Sequence, residues 1–269
     1  MVALIQRVLG GTGAFVLNRT IDAGYTLLML ARTLPWTRLA FARRREISSL
    51  AFTYGVKSLP VVVVVATFTG MIVSLQTGLA LARYGQQEIM GSIVAIAMCR
   101  EMGPFITAVI LTATAGSSIA AELGTMRVSE EIDALEVMSV PCEKFVVLPR
   151  LIALILIYPV LTLLTMMLGI VGAGVIAHEQ LGVAYSIFFD NAQDALRTTN
   201  WYFTLPKDIY VGLFKAVIFA ISTTAVSCAN GLRAQGGALG VGQAARSAVI
   251  ASFLLILILG YLMTWAFYR

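Results

Sequence analysis

The sequence predicts an all-α protein that crosses a membrane five times. Hydrophobic residues make up 59% of its 269 residues and charged residues only 12%, whereas soluble domains contain roughly 45 to 50% and about 25% of these classes. Five segments are long enough for a spanning helix, which needs about 20 apolar residues. Because backbone groups in hydrocarbon must bond within their own segment, these runs are predicted to be helices.

The region before the first span has a different pattern. Apolar residues of 1–46 recur near helical spacing, but charged residues interrupt them, which is typical of a helix lying in the membrane interface. Trp36 and the cluster at 43–45 are expected at headgroup level. A simple anchor and an elbow helix packed on a dimer both fit. We assign 1–57 to this interfacial region and 58–269 to a five-span core, within one domain.

The five predicted spans share an almost complete lack of charge, with Lys215 as an exception inside the fourth. They are Leu59–Leu81, the run Met102–Ala121 with a start near Ser92, Leu151–Ala177, Ile209–Leu232 and Ser247–Tyr268. Small residues recur every four positions in the first two, which allows close helix packing. These residues are Gly70, Ser74 and Gly78, and Gly116, Ala120 and Gly124. Packing within one subunit is favoured over packing between two.

The distribution of cations predicts the orientation. Thirteen of the nineteen Lys and Arg residues fall on the side of the N-terminus, and cytoplasmic loops are the ones enriched in these residues. The thirteen are Arg7, Arg19, Arg32, Arg38, Arg43, Arg44, Arg45, Lys57, Arg127, Lys144, Arg150, Arg233 and Arg246. We therefore expect a cytoplasmic N-terminus and, after five crossings, a C-terminus outside, in the periplasm if the cell is Gram-negative.

A short acidic segment, Arg127–Lys144, joins the second span to the third. Ser129 is predicted to cap a helix near 128–140, with carboxylates in its first turn, where they favour the positive end of the helix. These carboxylates are Glu130, Glu131 and Asp133, and the apolar patch expected beside them is Ile132, Leu135 and Val137 or Met138. Such a helix resembles a knob for a partner's groove. A solvated loop helix is the alternative.

Three ionisable residues fall within predicted spans, where charge is costly unless it is paired or faces a cavity. Arg100 and Glu101 are neighbours about 100° apart on a helix, so each is expected to have its own partner. We expect a lipid phosphate for Arg100 and another helix or water for Glu101, with a structural ion pair as the alternative. Lys215 is expected to have a structural role, either extending to the interface or neutralising Glu101.

Several chemistries have little support in the sequence. The run 240–245 imitates part of a dinucleotide fingerprint, but it lacks a preceding strand and is interpreted as a flexible loop. No phosphate-binding loop motif occurs, and His178 has no nearby metal-binding companion. Cys99, Cys142 and Cys228 lack metal-ligand spacing and are interpreted as reduced packing residues. We expect no catalytic residue, no metal site, no cofactor on this chain and no nucleic-acid partner.

Three motifs resemble those of one family. Arg-Glu-Met-Gly-Pro at 100–104, Glu-Leu-Gly-Thr-Met-Arg at 122–127 and the glycine-rich run 230–242 resemble the MlaE-like permeases. These are the membrane subunits of MCE-type ABC transporters, which move lipids across the Gram-negative envelope. The resemblance covers roughly 57–250. Departures from the family pattern are Thr114 for Arg, Glu131 for Gln, and Ala244 and Ala245 for a Thr pair.

The resemblance implies two functional regions. The segment after the second span is the family's coupling helix, which enters a cytoplasmic ATPase that binds ATP and Mg²⁺. Its implied contact residues are Met126, Arg127, Ser129, Glu130, Glu131, Ile132, Asp133, Leu135 and Met138. A phospholipid cavity lies between two copies of the permease, below a periplasmic MCE-domain protein. Its implied lining residues are Leu75, Gln76, Leu81, Tyr84, Arg100 and Glu101.

The leading hypothesis is therefore a homodimeric ABC permease subunit of the inner membrane that transports phospholipid. Aromatic residues of 178–208 then form an interfacial belt or recognise the MCE ring. A secondary transporter or channel using Arg100, Glu101 and Lys215 is the alternative, and it would need broken helices or repeats at the membrane midplane. A scaffold that anchors other envelope proteins is a third reading.

Overall fold

The computed structural model describes residues 20–198, 201–202 and 205–269. In this part of the chain the helices are α1 (20–33), α2 (Arg44–Ala82), α3 (Gln87–Val128), α4 (Glu131–Val137), α5 (Glu143–Glu179), α6 (Tyr185–Thr198), α7 (Lys207–Leu232) and α8 (Gly237–Tyr268). A 3₁₀ helix, Leu34–Arg43, joins α1 to α2. The two-residue strands β1 (Trp201–Tyr202) and β2 (Leu205–Pro206) pair antiparallel before α7.

The five predicted spans are confirmed as α2, α3, α5, α7 and α8, each long and apolar enough to cross a membrane. The protein is a multi-pass membrane protein. The first span begins at Arg44 and the last at Gly237, well before the predicted starts at Leu59 and Ser247. The cause is that helical hydrogen bonding continues into polar sequence, which a count of apolar residues does not detect.

The interpretation of 240–245 as a flexible loop is wrong, because these residues lie in the first turns of α8. The turn before α8 is made by Gly236 and Gly237, whose φ angles of +89° and +67° fall in the left-handed region that glycine adopts without a steric penalty. At Gly240 a Cβ would lie only 1.7 Å from the carbonyl oxygen of Gln235. These glycines therefore allow a tight turn between the last two spans and do not make a flexible loop.

Helix α3 is not a regular α-helix. Two π-helical turns interrupt it, Met98–Met102 and Thr112–Gly116, and a third, Glu143–Val147, opens α5. Single π turns inside helices are frequent at functional sites because they rotate the following residues and leave a carbonyl group free. The first of these turns carries Arg100 and Glu101.

The first small-residue seam packs α2 against α5 of the same chain. A Cβ on Gly70 would lie 1.9 Å from the Gly169 carbonyl oxygen, so the two backbones are in direct contact. Four residues further, the Ser74 hydroxyl donates to the Ala173 carbonyl at 2.8 Å. The prediction of internal packing is confirmed for this seam.

The second seam packs α3 against α7 and α8, also within one chain. Gly116 faces Ser227 of α7, and Gly124 faces Val241 of α8. Ala120 is fully buried, and a Cβ on Gly231 would lie 2.8 Å from the Ala120 carbonyl oxygen. Both seams are therefore used inside the subunit, which leaves other faces of α2 and α8 for lipid or a second copy.

An outer cluster of apolar side chains joins α6 to the start of α3. Phe188 is fully buried there with Met90 and Val94, and Gly91 lies against the Phe188 backbone. Phe188 is one of the aromatic residues of 178–208 expected at the membrane surface, either in an interfacial belt or against the MCE ring, and its complete burial against α3 contradicts that expectation. Phe203, another of these aromatic residues, lies outside the described residues.

Candidate functional site

Helix α4 projects between α3 and α5 at the same end of the bundle as α1. Ile132 anchors it, since that side chain is 1% exposed within the main hydrophobic core. Asp133 forms an ion pair with Arg127 at the end of α3. Five of the exposed residues of this segment form what we call the α4 surface, and they are Glu130, Glu131, Glu136, Val137 and Met138. Three carboxylates thus border two apolar side chains.

The predicted N-cap at Ser129 is wrong. Its hydroxyl donates backwards to the Thr125 carbonyl at 2.9 Å, so Ser129 ends α3 instead of starting α4. Glu130 takes the cap position with φ +61° and without a side-chain cap bond. Burial of Ile132 also corrects the predicted apolar patch, whose exposed part is Val137 and Met138. Glu131 and Asp133 do lie in the first turn, as predicted.

The chain that follows α4 is bound by the N-terminal region. Arg43 donates to the Phe145 carbonyl at 3.0 Å, and its guanidinium lies 3.8 Å from the Phe145 ring centroid. Arg32 pairs with Glu143 at 3.8 Å. Because α1 and the 3₁₀ helix both bind the segment that follows α4, the N-terminal region is attached to the base of α4.

A cavity of about 770 Å³ lies between α1, α4 and the α7–α8 turn. Its lining includes Tyr25, Glu136, Cys142 and Arg233. Burial, followed by the negative charge of Glu136 and Glu143, raises the pKa of the Cys142 thiol. Cys142 is therefore a neutral thiol at pH 7, and all three cysteines are free, in agreement with the predicted packing role.

The first half of an intramembrane charge cluster joins α3, α7 and α8. Arg100 Nε donates to Asp208 Oδ1 at 2.7 Å, and Nη2 reaches Oδ2 at 3.3 Å. Asp208 is fully buried. Tyr268, at the end of α8, donates to the same carboxylate at 2.6 Å and presents its ring 4.2 Å from the Arg100 guanidinium carbon. A bidentate pair of this kind neutralises Arg100 without a lipid.

The second half of the cluster centres on Lys215, whose side chain is 1% exposed. Its ammonium donates to Glu101 Oε1 at 2.6 Å, to Thr264 Oγ1 at 2.7 Å and to the Arg100 carbonyl at 2.9 Å. All three donor positions of the lysine are therefore used. The expectation that Arg100 and Glu101 have different partners is confirmed, as is the pairing of Lys215 with Glu101.

Sequence reasoning missed Asp208, Thr264 and Tyr268. A signal for Asp208 exists, because it stands seven residues before Lys215 and two helical turns return it to the same face of α7. Thr264 and Tyr268 are likewise four residues apart on one face of α8. Nothing in their sequence positions says that these two faces meet the π turn of α3.

The other predicted lipid contacts lie near the C-terminal end of α2 and in the turn that follows it. Tyr84 is 80% exposed, Gln76 is exposed and Leu75 is half-buried. Leu81 packs on the outer apolar cluster that contains Phe188. Within the described residues no group of His, Cys, Asp and Glu could hold a metal ion.

Comparisons with known proteins agree with this arrangement. Residues 47–266 match the family described as Permease MlaE. A probable ABC transporter permease protein of Synechocystis is 33% identical over 215 residues, which cover 80% of this chain and 79% of that protein. The intermembrane phospholipid transport system permease protein MlaE of Haemophilus influenzae is 31% identical over 210 residues, 78% of each chain.

A plant relative extends the set. The chloroplastic protein TRIGALACTOSYLDIACYLGLYCEROL 1 of Arabidopsis thaliana is 34% identical over 80% of this chain and 59% of its own length. The five spans and these matches define a membrane permease subunit. The chain belongs to the MlaE permease family.

Proposed function

We propose that this chain is the transmembrane subunit of an ABC transporter that moves phospholipid between the inner membrane and an MCE-protein pathway to the outer membrane. A separate cytoplasmic ATPase, which binds ATP and Mg²⁺, drives the movement. The observation that carries the proposal is the α4 surface, an anchored helix with exposed carboxylates and two exposed apolar side chains between two spans. This is the form of a knob that enters a partner's groove.

Three further observations support the proposal. The Haemophilus relative is named for intermembrane phospholipid transport. Cations concentrate at the α4 end, where Arg43 and Arg233 are bound to neighbouring elements. By the positive-inside rule, this distribution supports a cytoplasmic location for α4 and the N-terminus and a periplasmic one for the C-terminus. Only 28% of the most apolar stretch of α2 and 22% of that of α8 are buried, against 56% in α7. A second copy facing α2 and α8 would enclose a cavity for lipid.

Reconstitution in liposomes tests the proposal. The chain, its ATPase and the MCE protein should transfer labelled phospholipid between vesicles only with ATP, and an ATPase variant without hydrolysis should abolish the transfer. Uptake by the isolated chain driven by a proton gradient would instead support a secondary transporter using Arg100, Glu101 and Lys215. Absence of ATP-dependent transfer in a fully assembled complex would contradict the proposal.

A further inference from the structure

A cluster of polar side chains around Glu122, which we call the node, joins three spans close to α4. Glu122, in the last part of α3, accepts hydrogen bonds from Arg150 Nη2 at 3.1 Å, from Ser118 Oγ at 2.9 Å and from the Tyr54 hydroxyl at 3.3 Å. Tyr54 belongs to α2 and is 4% exposed, and Arg150 belongs to α5. One carboxylate thus connects α2, α3 and α5.

The position of this node along the chain is informative. Glu122 lies shortly before α4, and Arg150 lies shortly after it, 28 residues away. Their ion pair joins the helix that precedes α4 to the helix that follows it. Arg150 also donates through Nη1 to the Val146 carbonyl at 2.9 Å, in the π turn that opens α5. The end of α3 and the beginning of α5 are therefore bound to each other by an ion pair between side chains.

The node is sheltered on one side only. The Arg150 side chain is 12% exposed, whereas that of Glu122 is 42% exposed. Separation of the pair would leave the Arg150 guanidinium without its counter-ion in a place that is largely closed to water, and an uncompensated charge is costly there. A force applied to α4 would consequently reach α2 and α5 together instead of bending the loop alone.

We propose that Glu122, with Arg150 and Tyr54, is a positioning residue that makes α4 move as one body with the first three spans. This proposal rests on the function proposed above, since it concerns how motion of the ATPase reaches the membrane. Glu122 lies in α3 and is not part of the α4 surface. Its loss should leave docking intact while the transmitted motion is weakened.

The first test compares lipid transfer with ATP hydrolysis in the assembled complex. Glu122→Ala should copurify with the ATPase at the unaltered level, whereas phospholipid transferred per ATP hydrolysed should fall at least fivefold. Glu122→Gln keeps an oxygen for Tyr54 and Ser118 but removes the charge that pairs with Arg150, so the ratio should also fall, by less than in Glu122→Ala. The control Asp22→Asn removes an exposed ion pair with Arg233 at the same end of the bundle and should change nothing.

Two results would overturn the proposal: an unchanged transfer ratio in Glu122→Ala, or a loss of transfer that merely follows a loss of ATPase binding. A second measurement does not need the ATPase. Spin labels at Val137 and Phe52, both exposed, should show a distance distribution at least twice as broad in Glu122→Ala as in Asp22→Asn. An equal width would also refute the positioning role. Failure of the unaltered chain to bind any ATPase would instead refute the proposed function.

Discussion

The double substitution Glu130→Lys and Glu131→Lys is expected to lower copurification of the ATPase at least tenfold, with the permease still inserted and folded. Both carboxylates are exposed, so their reversal disturbs little inside the bundle. The substitution makes the acidic α4 surface basic, whereas the groove of the ATPase is expected to be positively charged. Like charges brought together across an interface cost several kcal/mol, and each 1.4 kcal/mol is a tenfold change in affinity.

The matched control reverses two exposed carboxylates at the opposite end of the bundle. Glu88→Lys with Glu179→Lys changes the net charge by the same amount and should leave ATPase binding unaltered. Equal amounts of both variants in the membrane fraction, with equal melting temperatures, would show that folding is intact. Undiminished copurification of the Glu130 and Glu131 variant would contradict the assignment of the α4 surface.

Removal of the buried ammonium by Lys215→Met is expected to destabilise the protein by about 1 to 3 kcal/mol, the usual cost of leaving hydrogen-bonding groups without their partner, because the Glu101 side chain is 40% exposed and stays partly solvated. The substitution keeps most of the side-chain volume but leaves Glu101 without its counter-ion. It also deprives the Arg100 carbonyl and Thr264 of a donor. Denaturant unfolding in detergent, with the extrapolated free energy of unfolding as the readout, measures the loss.

A second substitution shows whether charge is the cause. Glu101→Gln in the Lys215→Met background removes the orphaned carboxylate and should recover at least half of the lost free energy. Lys57→Met, which removes an exposed lysine of α2, should stay within about 0.5 kcal/mol of the unaltered chain. Equal effects of Lys57→Met and Lys215→Met, or no recovery in the double variant, would contradict the described cluster.

The spans were predictable because length and apolar character alone determine which helices can cross a bilayer. Their ends were less predictable, since α2 and α8 extend into polar sequence at Arg44 and Gly237. The turn before α8 depends on Gly236 and Gly237 in left-handed conformations. Composition suggested flexibility for the adjacent run, whereas the glycines serve a tight turn and a close backbone approach.

The charge cluster was predictable only in part. Arg100, Glu101 and Lys215 stand out because ionisable residues are rare in spans. Asp208 is signalled only by its spacing from Lys215, and Thr264 lies at a helix position that looks ordinary. These two residues meet Arg100 and Glu101 across 108 and 163 residues of sequence. Such pairings depend on how helices pack, which local patterns do not encode. For the same reason Ser129, a good N-cap by residue type, in fact ends the preceding helix.

The side of the membrane on which α4 lies tests the central claim most directly. A cysteine at the exposed position 137, introduced as Val137→Cys with Cys142→Ala, would be probed with a membrane-impermeant maleimide, while the buried Cys99 and Cys228 should stay unlabelled. Labelling is predicted in inside-out vesicles and not in intact spheroplasts, with the reverse result for Tyr84→Cys. Labelling of Val137→Cys from outside would contradict the account, because no cytoplasmic ATPase could then reach the α4 surface.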